Sequence, residues 1–328
     1  MTMSTTAAEV TIEVHLDAAA FDAELRRDAL QGLTANPRWL APTWLYDERG
    51  CELFEAITEL PEYYPTRTER GILVDRAADI ARLSGADTLV ELGSGTSEKT
   101  RLLLDALRDR GQLRRFVPFD VAESTLRDAA TSIAAAYPGM DVTAVVGDFR
   151  RHLPMIPPAG RRLFVLLGGT IGNFAPVERH AFLSALAATM RPGESFLLGT
   201  DLVKDPARLV AAYDDDAGVT AAFDRNVLSV LNDRLGADFV PDRFAHRAHW
   251  DADDEWIEMR LRSVGAQVVT VPELGLTLPF ADGDELRTEI SAKFRRAGVR
   301  RELRAVGLRP RRWWTDRAGD FALSLAVR

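Results

Sequence analysis

Cysteine is almost absent. The one thiol, Cys51, excludes an intrachain disulfide and a thiolate metal cluster, and such usage fits a reducing compartment. Cys51 itself reads as an inert buried thiol. Long apolar runs are also missing. None approaches the ~20 residues that cross a bilayer, so no membrane partner is expected. The opening MTMSTTAAEV lacks a basic n-region and an apolar h-region, so no signal peptide is expected and the location reads as cytoplasmic. Basic charge is in deficit, with Lys+Arg 41 against Asp+Glu 49 and a net charge of -8. That makes nucleic acid a poor default partner. No internal repeat and no long low-complexity tract stands out. What remains is 328 residues, 46% hydrophobic, with length and core enough for two domains.

The chain turns on DTLVELGSGTSEKT, residues 87–100. Thr88–Leu92 is a short apolar run with an acid, Glu91, near its end. Gly93-Ser94-Gly95 follows at once, and Thr96 or Ser97 is placed to cap a helix carrying Leu103 and Leu107. Strand, glycine turn and helix build a ligand site at the carboxyl edge of an α/β sheet. A phosphate loop requires Gly directly before Lys-Ser/Thr, but Glu98 precedes Lys99-Thr100 here. A dinucleotide GxGxxG fails as well, because Glu98 stands at the third glycine. Acids beside a tight glycine turn suit a ligand with a positive centre and little phosphate. S-adenosylmethionine, with a sulfonium, an ammonium and one carboxylate, is such a ligand.

The remaining strand ends agree. Arg115–Asp120 reads as a second strand ending on Asp120, an acid suited to ribose hydroxyls or to capping the helix that follows at 123–137. Val142–Val146 reads as a third, closed by Gly147-Asp148-Phe149, where an acid and an aromatic can bond and flank an adenine. Glu91, Asp120 and Asp148 thus end successive strands. Arg162–Leu167 is a fourth strand, followed by GGTIGNF, in which Asn173 can donate and accept at once. A fifth strand starts at Ser195. The βαβ alternation predicts a parallel, doubly wound sheet, and an apolar hairpin of Arg311–Trp314 with Phe321–Val327 is expected to close its far edge.

Outside the sheet, residues 1–12 read as a loose terminus. Residues 38–69 are dense in aromatics, including Trp39, Trp44, Tyr46, Phe54, Tyr63 and Tyr64. The residues alone leave Tyr46 and Tyr63 open between core packing and a site. From about 201 to 292 the period changes to helices and then antiparallel strands, which reads as an inserted unit completed by the N-terminal segment. Asp214-Asp215-Asp216 reads as a solvated helix end. His246 and His249 point to opposite faces of a strand, so they are not taken as metal ligands; no metal site is expected. Tyr213 fits a pocket or an amphipathic core. The arginines of 295–312 read as a solvated helix face, since stacking aromatics do not interleave with them.

Long words of this chain, among them YDERGCELFEAITELPEYYPTRTE, LVELGSGTSEKTRLLLDAL, GGTIGNF, YDDDAGVTAAFDRNVL, TEISAKF and WWTDRAGDFALSLAVR, resemble the histidine-specific methyltransferases of ergothioneine biosynthesis. The resemblance runs from about Leu33 to the end. It implies a class I methyltransferase fold, a doubly wound, mostly parallel sheet at 64–200 plus 293–328, with a mixed α+β histidine-binding domain at 13–63 plus 201–292. It implies S-adenosylmethionine as methyl donor and three methylations of the L-histidine α-amine, through mono- and dimethylated intermediates, to hercynine. Ser97 departs from the general methyltransferase pattern at the third glycine, and the family shares that departure.

By position, the resemblance places Gly93, Lys99, Asp120, Asp148, Phe149 and Phe54 around the cofactor. It places Tyr63, Asn173 and Tyr213 at the substrate's amino and carboxylate groups, Glu289 and Ser291 at the imidazole, and Met259 against it. Tyr46 is the candidate proton relay. The nearest rival is an N-methyltransferase of another amino acid, such as a tryptophan derivative; the Glu289/Ser291 pair argues against it. The protein is expected to act as a monomer, without nucleic acid.

Overall fold

A computed structural model describes residues 10–328. In chain order the elements are β1 (Val10–Val14), α1 (Ala18–Leu33), β2 (Arg38–Trp39), α2 (Glu48–Thr58), α3 (Pro65–Ser84), β3 (Thr88–Leu92), α4 (Arg101–Asp109), β4 (Arg115–Asp120), α5 (Glu123–Ala136), β5 (Asp141–Val146), α6 (Phe149–His152), β6 (Arg162–Leu166), α7 (Pro176–Thr189) and β7 (Ser195–Asp201). There follow α8 (Pro206–Ala211), α9 (Val219–Leu235), β8 (Phe244–Asp251), β9 (Trp256–Ser263), β10 (Gln267–Val271), β11 (Leu276–Phe280), β12 (Glu285–Ala292), α10 (Arg296–Ala305), β13 (Arg309–Thr315) and β14 (Phe321–Val327).

The chain divides into two compact units. Among the described residues, one comprises 10–16, Pro65–Leu202 and Phe294–Arg328; the other comprises Asp17–Tyr64 and Val203–Lys293. The first carries an eight-stranded sheet in the order β1-β5-β4-β3-β6-β7-β14-β13. Its first six strands run parallel. The β14–β13 hairpin runs antiparallel at the far edge. Every residue of β3 and β6 is buried, as central strands covered by helices on both faces require. From β3 the order steps out to β4 and β5 on one side and to β6 and β7 on the other. The strand order reverses there, and α/β sheets bind ligands at such a switch point.

Strand β1 corrects one expectation. Residues 10–12 are not a loose terminus: Val10 to Val14 pair with Val142 to Val146 in parallel register. Val10 and Ile12 pack on the sheet core. Residues 13–16 accordingly lie with the sheet unit, not with the inserted unit. The rest of the expected loose terminus, residues 1–9, lies outside the described residues.

The second unit is built on a four-stranded sheet, β2-β12-β9-β8, with β10–β11 as a separate antiparallel pair. Helix α9 crosses behind it, and its Phe223, Val227, Leu228 and Leu231 enter a core shared with Trp44, Phe244 and Phe280. Asp215 is not solvated as expected. Its carboxylate accepts from Val219 N at 3.0 Å and Thr220 N at 2.7 Å, satisfying donors that open α9. Asp214 and Asp216 are the exposed members of that run. Strand β12 has one irregularity. Arg287 faces Arg260, but the next pair is Glu289 with Met259, so Thr288 is bulged out of register. A bulge re-aims the side chains beyond it, and these are Glu289 and Ser291.

Candidate active site

In the sheet unit, four carboxylates organise the strand ends. Glu91, buried at the end of β3, accepts from Ser97 Oγ at 2.7 Å and from Thr100 Oγ1. A buried carboxylate left without donors is costly, and this demand overrides the expected helix cap. Ser97 and Thr100 serve Glu91 rather than the helix, which begins only at Arg101. Burial still dominates over these donors and raises the Glu91 pKa to about 7. Asp120 ends β4 and accepts from Gly95 N at 2.9 Å and Ala122 N at 3.1 Å. It therefore ties the glycine turn to its own strand. Its pKa is raised, because burial outweighs those amide bonds.

Asp148, two residues beyond β5, caps α6 through Arg150 N at 2.8 Å and pairs with the Arg150 side chain at 2.9 Å. Phe149 beside it meets Phe119, Phe174 and Phe182. Gly93 has φ 69, and a Cβ there would stand 3.6 Å from the Phe149 ring. Glu69 on α3 is fully buried. It accepts from Lys99 Nζ and from Gly168 N, the latter at 2.9 Å. One carboxylate thus joins the loop after β3 to the loop after β6, where Asn173 lies in a single helical turn, Thr170–Asn173. A Cβ on Gly199 would fall 2.1 Å from Glu69 Oε1, so only glycine leaves room for this junction. Carboxylates at three strand ends around a positive-φ glycine turn fit a ligand with positive centres and hydroxyls, as the sequence expects of S-adenosylmethionine.

The second unit assembles aromatics and polar side chains. Tyr46 stacks edge-on with Phe54 at 5.5 Å and with Phe223 at 5.4 Å. Phe54 meets Tyr63 at 6.2 Å, and Tyr63 meets Tyr213 at 6.1 Å. These rings form one chain of edge-to-face contacts. At its end the Tyr213 hydroxyl lies 2.8 Å from Ser291 Oγ. Lys293 Nζ donates to both hydroxyls at 2.9 Å and lies 4.4 Å from the Tyr213 ring centroid. Glu289 and Ser291 are both buried, and Met259 is the cross-strand partner of Glu289. Burial first, then the nearby Glu289 charge, raises the Tyr46 pKa well above its usual value. Tyr46 therefore keeps its proton. Cys51 is half-buried rather than buried; its Sγ lies 3.8 Å from the Tyr46 carbonyl oxygen.

Residues 25–328 match the family described as histidine-specific methyltransferase, SAM-dependent. The chain belongs to this family. It is 61% identical over 304 residues to a histidine N-alpha-methyltransferase of Mycolicibacterium smegmatis, covering 93% of this chain and 95% of that protein. It is 59% identical over 319 residues to one of Mycobacterium tuberculosis, covering 97% and 99%. A Neurospora crassa ergothioneine biosynthesis protein 1 shares 35% identity over 206 residues, 61% of this chain and 23% of that longer protein.

Within this histidine-specific methyltransferase, the expected residues divide by unit. Gly93, Lys99, Asp120, Asp148 and Phe149 lie at the strand ends of the sheet unit, together with Asn173, which was expected among the substrate residues. Tyr46, Tyr63, Tyr213, Met259, Glu289 and Ser291 lie in the second unit. Phe54 lies there too, within the ring chain, although it was expected among the cofactor residues. Three further residues were passed over in the sequence. Lys293 continues the period-two alternation of Glu289 and Ser291 along β12, which is a readable signal. Glu69 lies inside a quoted word, but nothing local marks it as buried. His246 was set aside as a metal ligand, and no group of three potential metal ligands occurs among the described residues. Its ring is nonetheless buried against α9. No helix of the described residues is long and apolar enough to cross a membrane.

Proposed function

We propose that this protein transfers methyl groups from S-adenosylmethionine to the α-amino group of L-histidine, three in succession. The product is Nα,Nα,Nα-trimethyl-L-histidine, hercynine, a step of ergothioneine biosynthesis. The observation that carries this reading is the row Glu289, Ser291 and Lys293, of which Ser291 and Lys293 bond the Tyr213 hydroxyl. A carboxylate beside a hydroxyl can read both nitrogens of an imidazole, the carboxylate accepting from N–H. An ammonium beside a tyrosine hydroxyl attracts an α-carboxylate. Free histidine carries both groups.

In this reading Glu289 and Ser291 hold the imidazole, with Met259 packed on it. Tyr213, Tyr63 and Asn173 fix the amino and carboxylate groups. The sheet-unit residues Gly93, Lys99, Asp120, Asp148 and Phe149 hold the methyl donor. S-adenosylmethionine, when bound, supplies a methyl carbon on a sulfonium and retains the bonding pair as a thioether. The protein's residues then have two tasks. They hold the amine lone pair in line, and such positioning accounts for as much as ~7–11 kcal/mol of a barrier. They also let one proton leave the amine before each transfer. Tyr46 passes that proton through its hydroxyl while remaining protonated. The faces of Phe54 and its neighbours favour the growing cation by ~0.5–2 kcal/mol. A reading pair of buried polar groups discriminates steeply, because a substrate without the imidazole leaves both unpaired. The enzyme works in the cytoplasm as a monomer and needs no metal.

Mass spectrometry tests this with purified protein, S-adenosylmethionine and each common L-amino acid in turn. The expected product is histidine three methyl groups heavier, and no other amino acid changes. Unmodified histidine with intact cofactor binding would reject the substrate and leave the fold untouched.

A further inference from the structure

We infer that the buried pair His246–Asp224 is a positioning device that sets the specificity of the substrate residues. His246, on β8, and Asp224, on α9, have side chains 1% and 0% exposed. His246 Nδ1 lies 2.7 Å from Asp224 Oδ2, and His246 Nε2 lies 2.8 Å from the backbone oxygen of Tyr213. A carbonyl oxygen only accepts, so Nε2 carries a hydrogen. With Asp224 as a carboxylate, the oxygen facing Nδ1 accepts as well, and the ring donates from both nitrogens as an imidazolium. The other oxygen of Asp224 is bonded by Thr288 Oγ1, which also lies 3.1 Å from the Met259 backbone oxygen.

These contacts reach both parts of the proposed histidine grip. One end of the pair pins the main chain of Tyr213, just beyond α8. The other pins Thr288, the bulged residue that re-aims Glu289 and Ser291 on β12. Met259, opposite Glu289, is drawn in through the same threonine. A buried charge pair is a poor source of net stability, since desolvation offsets most of its attraction. Its value here is geometric. An apolar pair of similar size would leave the Tyr213 carbonyl and the Thr288 hydroxyl without these partners, and the two segments free to drift. Such drift loosens the groups proposed to bind histidine, so the loss is read in KM for histidine. Neither residue is assigned a contact with the substrate, and neither is a catalytic residue.

This inference rests on the histidine reading of the site, and the test separates the two. Steady-state kinetics with histidine and S-adenosylmethionine would compare the native protein with His246→Phe, His246→Gln and Asp224→Asn. His246→Phe is expected to raise KM for histidine about tenfold or more, with the affinity for S-adenosylhomocysteine unchanged by calorimetry. His246→Gln, whose amide can still donate to the Tyr213 carbonyl, is expected to recover most of the loss. Asp224→Asn, which keeps the shape and removes the charge, is expected to raise KM for histidine less than Phe does. A fall in kcat at unchanged KM would mean only lost active protein and would overturn the inference, as would equal KM values throughout. Should the variants fail to fold, nitrogen-15 NMR of the native protein labelled at histidine decides. Two protonated ring nitrogens on His246 at neutral pH support the pair, and a neutral tautomer overturns it. A native protein that leaves histidine unmethylated rejects the substrate reading instead, and the NMR result still stands or falls alone.

Discussion

The hydroxyls of Tyr213 and Ser291 lie 2.8 Å apart although 78 residues separate them in the chain. Lys293 donates to both. An ammonium has no lone pair to offer, so each hydroxyl accepts from it. One hydroxyl hydrogen is spent between the pair, and the other is directed away from Lys293. The trio therefore places two hydroxyls beside an ammonium.

Tyr213→Phe removes the hub of this trio and keeps the ring contact with Tyr63. KM for histidine is expected to rise about ten- to a hundredfold, the cost of one charge-assisted hydrogen bond of about 1.5–3 kcal/mol. Cofactor affinity, measured by calorimetry, should not change.

Exchanging Glu289 and Ser291 for apolar residues of similar size should erase discrimination. Competition assays with histidine against other amino acids read it directly. Selectivity for histidine is expected to fall by at least a hundredfold, given ratios of ~10⁴–10⁵ where buried polar readers lose their partners. Unchanged histidine methylation would show that the imidazole is held elsewhere.

Tyr46 has a pKa pushed up by burial and by the Glu289 charge. A group so placed is protonated throughout the neutral range and cannot serve as a standing base. The pH profile of kcat/KM should therefore have the same limbs in the native protein and in Tyr46→Phe between pH 6 and 9, with the variant slower by a constant factor. A limb that disappears with the hydroxyl would mean that Tyr46 ionises during turnover.

Glu91 has a folded-state pKa raised from 4.5 to about 7. Between these values the folded protein binds more protons than the unfolded chain, so stability falls as pH rises. The contribution is fully present below about pH 4.5 and is lost as pH climbs through about 7. A shift of this size is worth ~3 kcal/mol. Urea unfolding from pH 5 to 8 should show a shallower decline for Glu91→Gln than for the native protein. Asp120, raised in the same direction, retains part of the slope.

Glu69→Ala leaves Lys99 and the Gly168 amide without their shared acceptor. Breaking a buried pair in this way costs on the order of 3–5 kcal/mol, so urea midpoints should drop sharply. Glu69→Gln keeps one acceptor oxygen and should lose less. Cofactor affinity is expected to weaken in both, because Lys99 and the loop after β6 share this anchor.

Much of the sheet was legible because its signals are local. Thr88–Leu92 is an apolar run cut by Gly93-Ser94-Gly95, and the turn needs the positive φ that glycine adopts at 93 and 95. Asp120 and Asp148 could be placed at strand ends by counting. The β13–β14 hairpin was expected from Arg311–Trp314 and the apolar run Phe321–Val327. By contrast, β1 was missed because five residues of VTIEV, one strand at the edge of a sheet, are stable only when paired with β5. The helix cap at Ser97 was misplaced because its hydroxyl had two possible partners, and only the burial of Glu91 decides between them.

Glu289 and Ser291 came from the resemblance and Lys293 was passed over, while the chain alone determined the kind of sheet and the acids at its strand ends. These depend on residue type, turn chemistry and the repeat of side chains along a strand, all of which act over a few residues. Only the tertiary structure decided which distant groups meet. Glu69 reaches Gly168 from 99 residues away; His246 reaches the Tyr213 carbonyl from 33 residues away. Burial supplies the reason. Once a carboxylate or an imidazole is removed from water, it must take whatever donors and acceptors the packing brings within 3 Å, and no local pattern records which those are.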